Sequence, residues 1–259
     1  MGTLAKQMKY RLTAFGWHFL GSATALLLVL GTLYLGWYRW PGWYLTGVVR
    51  LLPILIGVDL ALGPLVTLLL ANPRKPARAL ARDIAMVVAV QLVALGYGTY
   101  TLWNGRPLYY AFSVNQLEVV QASDIDSKEA ELGRRNNPAL APHWYSLPRW
   151  IYAPLPKDPA ASKAIIESAI RGGNDVTDMP GYYQEWSRGL QDLRTQLKKV
   201  GDSTFFSRQD RIALAQKMTR RGLPADRANT IPLTSGRAIP LLAVFDPGTM
   251  QMRALLTAR

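Results

Sequence analysis

The sequence predicts a membrane protein of three transmembrane α-helices followed by an exterior α+β domain, on three observations. No formal charge stands between Leu12 and Tyr38, only Asp59 between Arg50 and Arg74, and none between Asp83 and Arg106. Each run supplies the ~20 mostly apolar residues that a helix rising ~1.5 Å per residue needs to cross a bilayer. Lys and Arg are concentrated on one side of these runs, which orients them. Beyond Trp103 the apolar residues break into short stretches separated by turn residues, the pattern of a domain that folds in water. The expected division is a cytoplasmic leader over residues 1–11, a transmembrane domain over 12–103 and the exterior domain over 104–259.

The leader carries Lys6, Lys9 and Arg11 and is expected to fray or to lie on the inner headgroups. The first span reads as retained, because its apolar run is too long for a signal peptide and continues into an aromatic turn from Trp37 to Tyr44 instead of a small-residue cleavage site. Gly16, Gly21, Ser22 and Ala25 let another helix approach it closely. His18, near its inner end, reads as an interfacial imidazole bonded to headgroup or water rather than as a pH sensor. The second turn holds Arg74, Lys75, Arg78 and Arg82, against Arg39 and Arg50 in the first, so the amino terminus faces the cytoplasm and everything after Trp103 lies outside. Trp37, Trp40, Trp43 and Tyr44, continued by Tyr100, Trp103, Tyr109 and Tyr110, form the expected outer aromatic belt.

Asp59 is the most informative residue of the second span. An acid at that depth costs about 2.5–3.5 kcal/mol on insertion scales, so it faces a partner or a cavity. Pro64 removes the N–H that would bond the Leu60 carbonyl and predicts a kink beside the acid. Asp59, Gly63 and Thr67 share one stripe, while Gln91, Tyr97 and Thr99 supply the polar atoms of the third span. By rise per residue Asp59 stands ~20 Å from the inner end, Gln91 ~14 Å and Tyr97 ~22 Å, which makes Tyr97 the nearer partner by height. Two readings stand at this point: an internal hydrogen bond that fixes helix packing, or an acid offered to another protein's helix.

In the exterior domain, the aromatic and β-branched stretch after Arg106-Pro107 reads as a strand, or two paired around Val114-Asn115-Gln116. The proline-dense stretch 136–159 reads as an extended loop whose aromatics, Trp144 and Trp150 among them, suit a peptide-binding face or an interface anchor, with packing beneath the loop the more usual fate and the one expected. Three helices follow: 161–171; 183–200, with Trp186, Leu190, Leu193 and Leu197 inward; and 208–221, capped by Ser207, with Ile212, Leu214, Ala215 and Met218 inward. Asp246-Pro247-Gly248 reads as a hairpin turn. Early and final strands are expected to share one sheet with the helices against it.

Composition excludes several functions. The net charge of +13 is divided between a membrane part, where the positive-inside rule accounts for it, and an exterior part without a dense basic run or RNA-binding aromatics, so membrane lipids and not nucleic acid are the expected polyanion. With no cysteine and only His18 and His143, thiol catalysis and Cys- or His-based metal sites are excluded, and the exterior domain must be held by its own core. A single mid-span acid cannot form the carboxylate pair of an intramembrane protease. No hydrolase, metalloprotease or nucleotide-binding motif stands in a suitable context. The expectation is a protein that is not an enzyme, takes no cofactor and works by binding; the alternative is an envelope sensor or ligand-binding membrane protein.

One composite pattern is specific. Gly57-Val58-Asp59-Leu60-x-Leu62-Gly63-Pro64-Leu65-x-Thr67-Leu68, Asn72-Pro73-x-Lys75, Arg82-Asp83, Gln91, Ala94-Leu95-x-Tyr97-Gly98, Arg106-Pro107 and Phe112-x-x-Asn115-x-Leu117-Glu118-Val119-Val120 together resemble the TfpX/TfpZ type IV pilin accessory proteins. In that family an Asp usually stands where Asn115 stands here. The resemblance implies a multi-pass protein of the bacterial inner membrane with a periplasmic carboxyl-terminal domain. It also implies a chaperone-like factor for a cognate type IV pilin that affects pilin stability, assembly and pilus number. The implied partner is the major pilin, through its transmembrane helix and with its head as a further contact; the oligomeric state is left open. Candidate partner-binding residues within the membrane are Asp59, Gly63, Pro64, Thr67, Gln91 and Tyr97, and candidate interfacial or structural residues are Arg74, Lys75, Arg82, Asp83, Arg106 and Pro107.

Overall fold

A computed structural model describes residues 2–258. The chain divides into two compact units, one made of residues up to 36 with 47–104, the other of 37–46 with 105 onward. The fold class is the one expected from the sequence: three helices long and apolar enough to cross a membrane, then an α+β domain on a seven-stranded mixed sheet.

In the first unit, helix α1 runs Gly2–Gly36. The leader is therefore helical and continuous with the first span, not frayed; its Leu, Ala, Lys, Gln and Met residues extend a helix already nucleated by the apolar run. Arg11 fixes its level by donating from Nε to the Ala71 carbonyl (2.9 Å), one of the orphan acceptors at the end of the second span. A short helix α2 (Gly42–Leu45) belongs to the second unit. The second span is built from α3 (Leu52–Ile56), a π-helical turn over Gly57–Leu62 and α4 (Gly63–Leu70). Helix α5 (Ala77–Asn104) completes the unit. Only 11%, 22% and 11% of the three spanning stretches is buried within the protein, so most of their side chains are left to lipid or to another chain.

The π turn has a sequence cause. Within it the Gly63 N–H bonds the Val58 carbonyl, five residues back. The next bond in that register would run from Pro64 to Asp59, and proline has no N–H to give. The carbonyl orphaned by Pro64 is thus that of Asp59, not of Leu60 as an α-helical register requires.

The second unit is a sheet of β1 (Pro107–Ser113), β2 (Gln116–Gln121), β3 (Arg149–Tyr152), β4 (Gln184–Glu185), β5 (Thr230–Thr234), β6 (Leu241–Phe245) and β7 (Met252–Thr257), in the order β4-β3-β1-β2-β5-β6-β7. The β1–β2 hairpin and the Asp246 turn between β6 and β7 stand where the sequence puts them. Early and final strands share the sheet through parallel pairing of β2 with β5. All seven residues of β1 are buried, because both faces of the sheet are covered. Tyr110, Phe112, Leu117, Val119, Ile231 and Leu233 face one core. Tyr109, Ala111, Val120 and Ile151 face a second, and Leu242, Val244 and Leu256 a third. Tyr109 and Tyr110 are therefore sheet residues and not part of an aromatic belt: strand alternation sends one to each face, 0% and 6% exposed.

Other differences are local. β3 interrupts the proline-dense segment, because Arg149–Tyr152 is a proline-free window that pairs in parallel with β1. β5 carries Pro232 beside Leu242 of β6, which is tolerated because its ladder with β2 begins only at Leu233. The helix expected over 183–200 is reduced to a 3-10 turn and α8 (Leu190–Gln196), after α6 (Ser127–Asn136) and α7 (Pro159–Ile170). Gly189 packs against Tyr152, where a Cβ would lie 2.6 Å from the ring, and the backbone of Lys198 pairs with Thr230 instead of continuing the helix. Helix α9 (Arg208–Arg220) is capped by Ser207, which accepts from the Asp210 N–H (3.1 Å). It buries Leu214 and Met218, while Ile212, two residues off that stripe, is 52% exposed.

Candidate functional site

The polar residues of the three spans meet in one cluster. Gln91 is its hub. Its Nε2 donates to the Asp59 carbonyl (3.1 Å) and to Ser22 Oγ (3.3 Å), so the side chain replaces the backbone N–H that Pro64 lacks. Its Oε1 lies 2.6 Å from His18 Nε2, and His18 Nδ1 lies 2.5 Å from Thr67 Oγ1. An amide oxygen only accepts, so Nε2 of His18 carries a proton, and in the neutral ring Nδ1 accepts from the Thr67 hydroxyl. One imidazole and one amide thereby tie α1, α4, α5 and the π turn together. Gly63 makes this possible: a Cβ there would lie 2.1 Å from Gln91 Cδ.

His18 is thus a central member of the cluster and not a headgroup ligand. Arg11 is level with the end of the second span, and seven further residues carry His18 ~10 Å deeper. The signal available in the sequence was the His18/Ser22 pair at i, i+4, on the stripe that also holds small residues.

The Asp59 carboxyl stands apart. The residue is 4% exposed, yet its side chain makes no hydrogen bond among the described residues; only its carbonyl is engaged. It lines two cavities. One, of about 290 Å³, lies between the outer halves of the second and third spans, with Leu55, Val58, Ala94, Tyr97 and Thr101 around it. The other, of about 500 Å³, lies against α1 and includes Trp17, His18, Ser22, Thr67 and Gln91. Tyr97 shares the first cavity but is 74% exposed and no hydrogen bond joins it to Asp59, so matching height did not make a pair. Gly98 is the closer contact between these spans, since a Cβ there would lie 1.9 Å from Leu55 Cδ1. No group of three or more His, Cys, Asp or Glu side chains that could hold a metal ion stands among the described residues. What the arrangement offers is an apolar groove with one unsatisfied carboxyl at its floor.

The remaining candidates lie elsewhere. Lys75 and Asp83 form an ion pair (2.7 Å) that closes the second turn, with Arg74 and Arg82 exposed beside it. Arg106 is 6% exposed and interacts electrostatically with Tyr38, while Pro107 packs beside Gly42, where a Cβ would lie 3.2 Å from its Cγ. These two residues lock the 37–46 loop onto the start of β1.

The chain is similar to curated fimbrial assembly proteins of Dichelobacter nodosus. It is 26% identical over 235 residues to the fimbrial assembly protein of serogroup I, covering 89% of each chain. It is 32% identical over 110 residues to that of serogroups C1 and C2, covering 42% of this chain and 84% of the relative. No family model and no solved structure matches.

Proposed function

This chain belongs to the family of fimbrial assembly proteins, and from that premise we propose that it is a non-enzymatic inner-membrane factor of type IV fimbrial biogenesis. It holds a cognate pilin by the pilin's transmembrane helix before assembly, with its amino terminus in the cytoplasm and its second unit in the periplasm. The observation that carries this reading is Asp59, a residue 4% exposed at mid-span whose carboxyl lines a cavity and makes no hydrogen bond among the described residues. An acid kept there against a cost of about 2.5–3.5 kcal/mol and not compensated within its own bundle is compensated by something outside it. The cavity above it opens between two spans that are mostly uncovered, and a single apolar helix is the partner whose shape and chemistry suit that opening.

A photo-crosslinking residue at Ile54 or Tyr97, both exposed at the cavity, tests this in intact cells. The expected product is an adduct to the membrane segment of the major pilin, absent when the same residue is placed at Leu28 on the exposed face of α1. Equal yields at the three positions would reduce the contact to random collision and overturn the clamp.

A further inference from the structure

We propose that the loop 143–147 of the second unit is a membrane anchor, with Trp144, Tyr145 and Leu147 seated in the headgroup boundary of the bilayer. These side chains are 73%, 59% and 58% exposed, three large apolar groups within four residues, on a domain whose other aromatics are largely packed into its cores. Isolated exposed apolar residues need no explanation, but a clustered patch marks a binding surface. The loop is also held in a fixed shape. The His143 N–H donates to Ser146 Oγ (2.9 Å), and the Tyr145 ring stacks on His143 (5.3 Å between centroids) and meets Trp144 edge-on (5.5 Å).

Two tethers say what covers the patch. Trp37 Nε1 donates to the Ser146 carbonyl (2.7 Å), and Arg106 Nη2 donates to the Trp144 carbonyl (3.3 Å). Trp37 follows directly on Gly36, where the first span ends, and Arg106 comes just after Asn104, where the third ends. The loop is thus bonded, through its own backbone, to the residues at which the chain leaves the membrane twice. The carbonyls of Trp144 and Ser146 are taken up by those tethers, and the Trp144 and Tyr145 rings are left exposed. Trp and Tyr, apolar rings with a polar edge, are the side chains favoured at that depth. The aromatic belt that Tyr109 and Tyr110 do not supply is supplied here. This inference stands independently of the pilin-binding reading.

The chain contains no cysteine, so single substitutions Trp144→Cys, Tyr145→Cys and Leu147→Cys carry a nitroxide without background. The full chain is reconstituted in phosphatidylethanolamine–phosphatidylglycerol nanodiscs, with Ile212→Cys on α9 as the water-facing control. Relaxation by oxygen is expected to exceed relaxation by a water-soluble nickel chelate several-fold at the loop sites, at a depth of ~5–10 Å, and to fall below it at position 212. Nickel accessibility equal to the control at all three loop sites overturns the proposal. Protection that appears only when a fimbrial subunit is added also overturns it, by making the patch a protein-docking surface. Three separate sites keep the test decisive if one variant fails to fold.

Discussion

At the scale of single residues, the membrane unit is organised by a missing hydrogen atom. Pro64 cannot satisfy the Asp59 carbonyl, Gln91 does so instead, and Gly63 leaves the space through which Gln91 reaches it. The coupling predicts a non-additive pair. Gln91→Leu leaves the Asp59 carbonyl and His18 Nε2 without partners and should cost about 1–3 kcal/mol. Pro64→Ala supplies the backbone N–H, so the same Gln91→Leu change should cost roughly 1 kcal/mol less in that background. Thermal unfolding of the four proteins in detergent measures the cycle. Additive effects would mean that the amide and the proline do not share the carbonyl. The same residues mark how far a sequence can be read. Asp59, Gly63, Thr67 and Gln91 announce themselves as polar or small positions in apolar runs. His18 does not, because its depth depends on where α1 begins, and the charged leader hides that beginning.

At the scale of elements, the second unit contains an acidic cluster with a definite pH response. Glu118 on β2 accepts from Thr177 Oγ1 (3.2 Å), and burial, reinforced by Asp178 and Asp175 nearby, pushes its carboxyl up to about 7. Burial likewise lifts Asp178 to about 6, although the Asp175 N–H bond and Arg237 pull it down. Both groups then hold protons in the folded chain that the unfolded chain releases near pH 4. Their contribution to stability is fully present below about pH 4 and is lost as pH rises through 6 and 7. Asp246, held down to about 2 by the Thr249 N–H and Arg253, titrates below this window. The second unit should therefore melt about 5 °C higher at pH 5 than at pH 8, followed by tryptophan fluorescence of the full chain, and Glu118→Gln should flatten the slope. A Tm that rises with pH over this range would contradict the burial of Glu118. The elements themselves were legible where local signals decide them: the β1–β2 hairpin, the Ser207 cap and the Asp246 turn. β3, β5 and the break after α8 were not, since each is set by pairing with a strand distant in sequence.

At the scale of the whole molecule, three spans that bury little of themselves carry a domain with three cores of its own. That division follows from the distribution of charge along the chain, which is why fold class was readable from the sequence. The use of the spans was not, because the sequence does not show that the Asp59 carboxyl, on a residue 4% exposed, finds no donor among the described residues. The central claim is that this acid is kept for another helix. The most direct test replaces it with leucine and measures two quantities in the same cells: the abundance of the protein and the yield of its crosslink to the pilin helix. Asp59→Leu removes the insertion cost and breaks no side-chain hydrogen bond among the described residues, so abundance should stay near wild type while the crosslink falls at least tenfold and surface pili decline. An unchanged crosslink at wild-type abundance would contradict the account, and so would a loss of crosslink that only follows the loss of the protein.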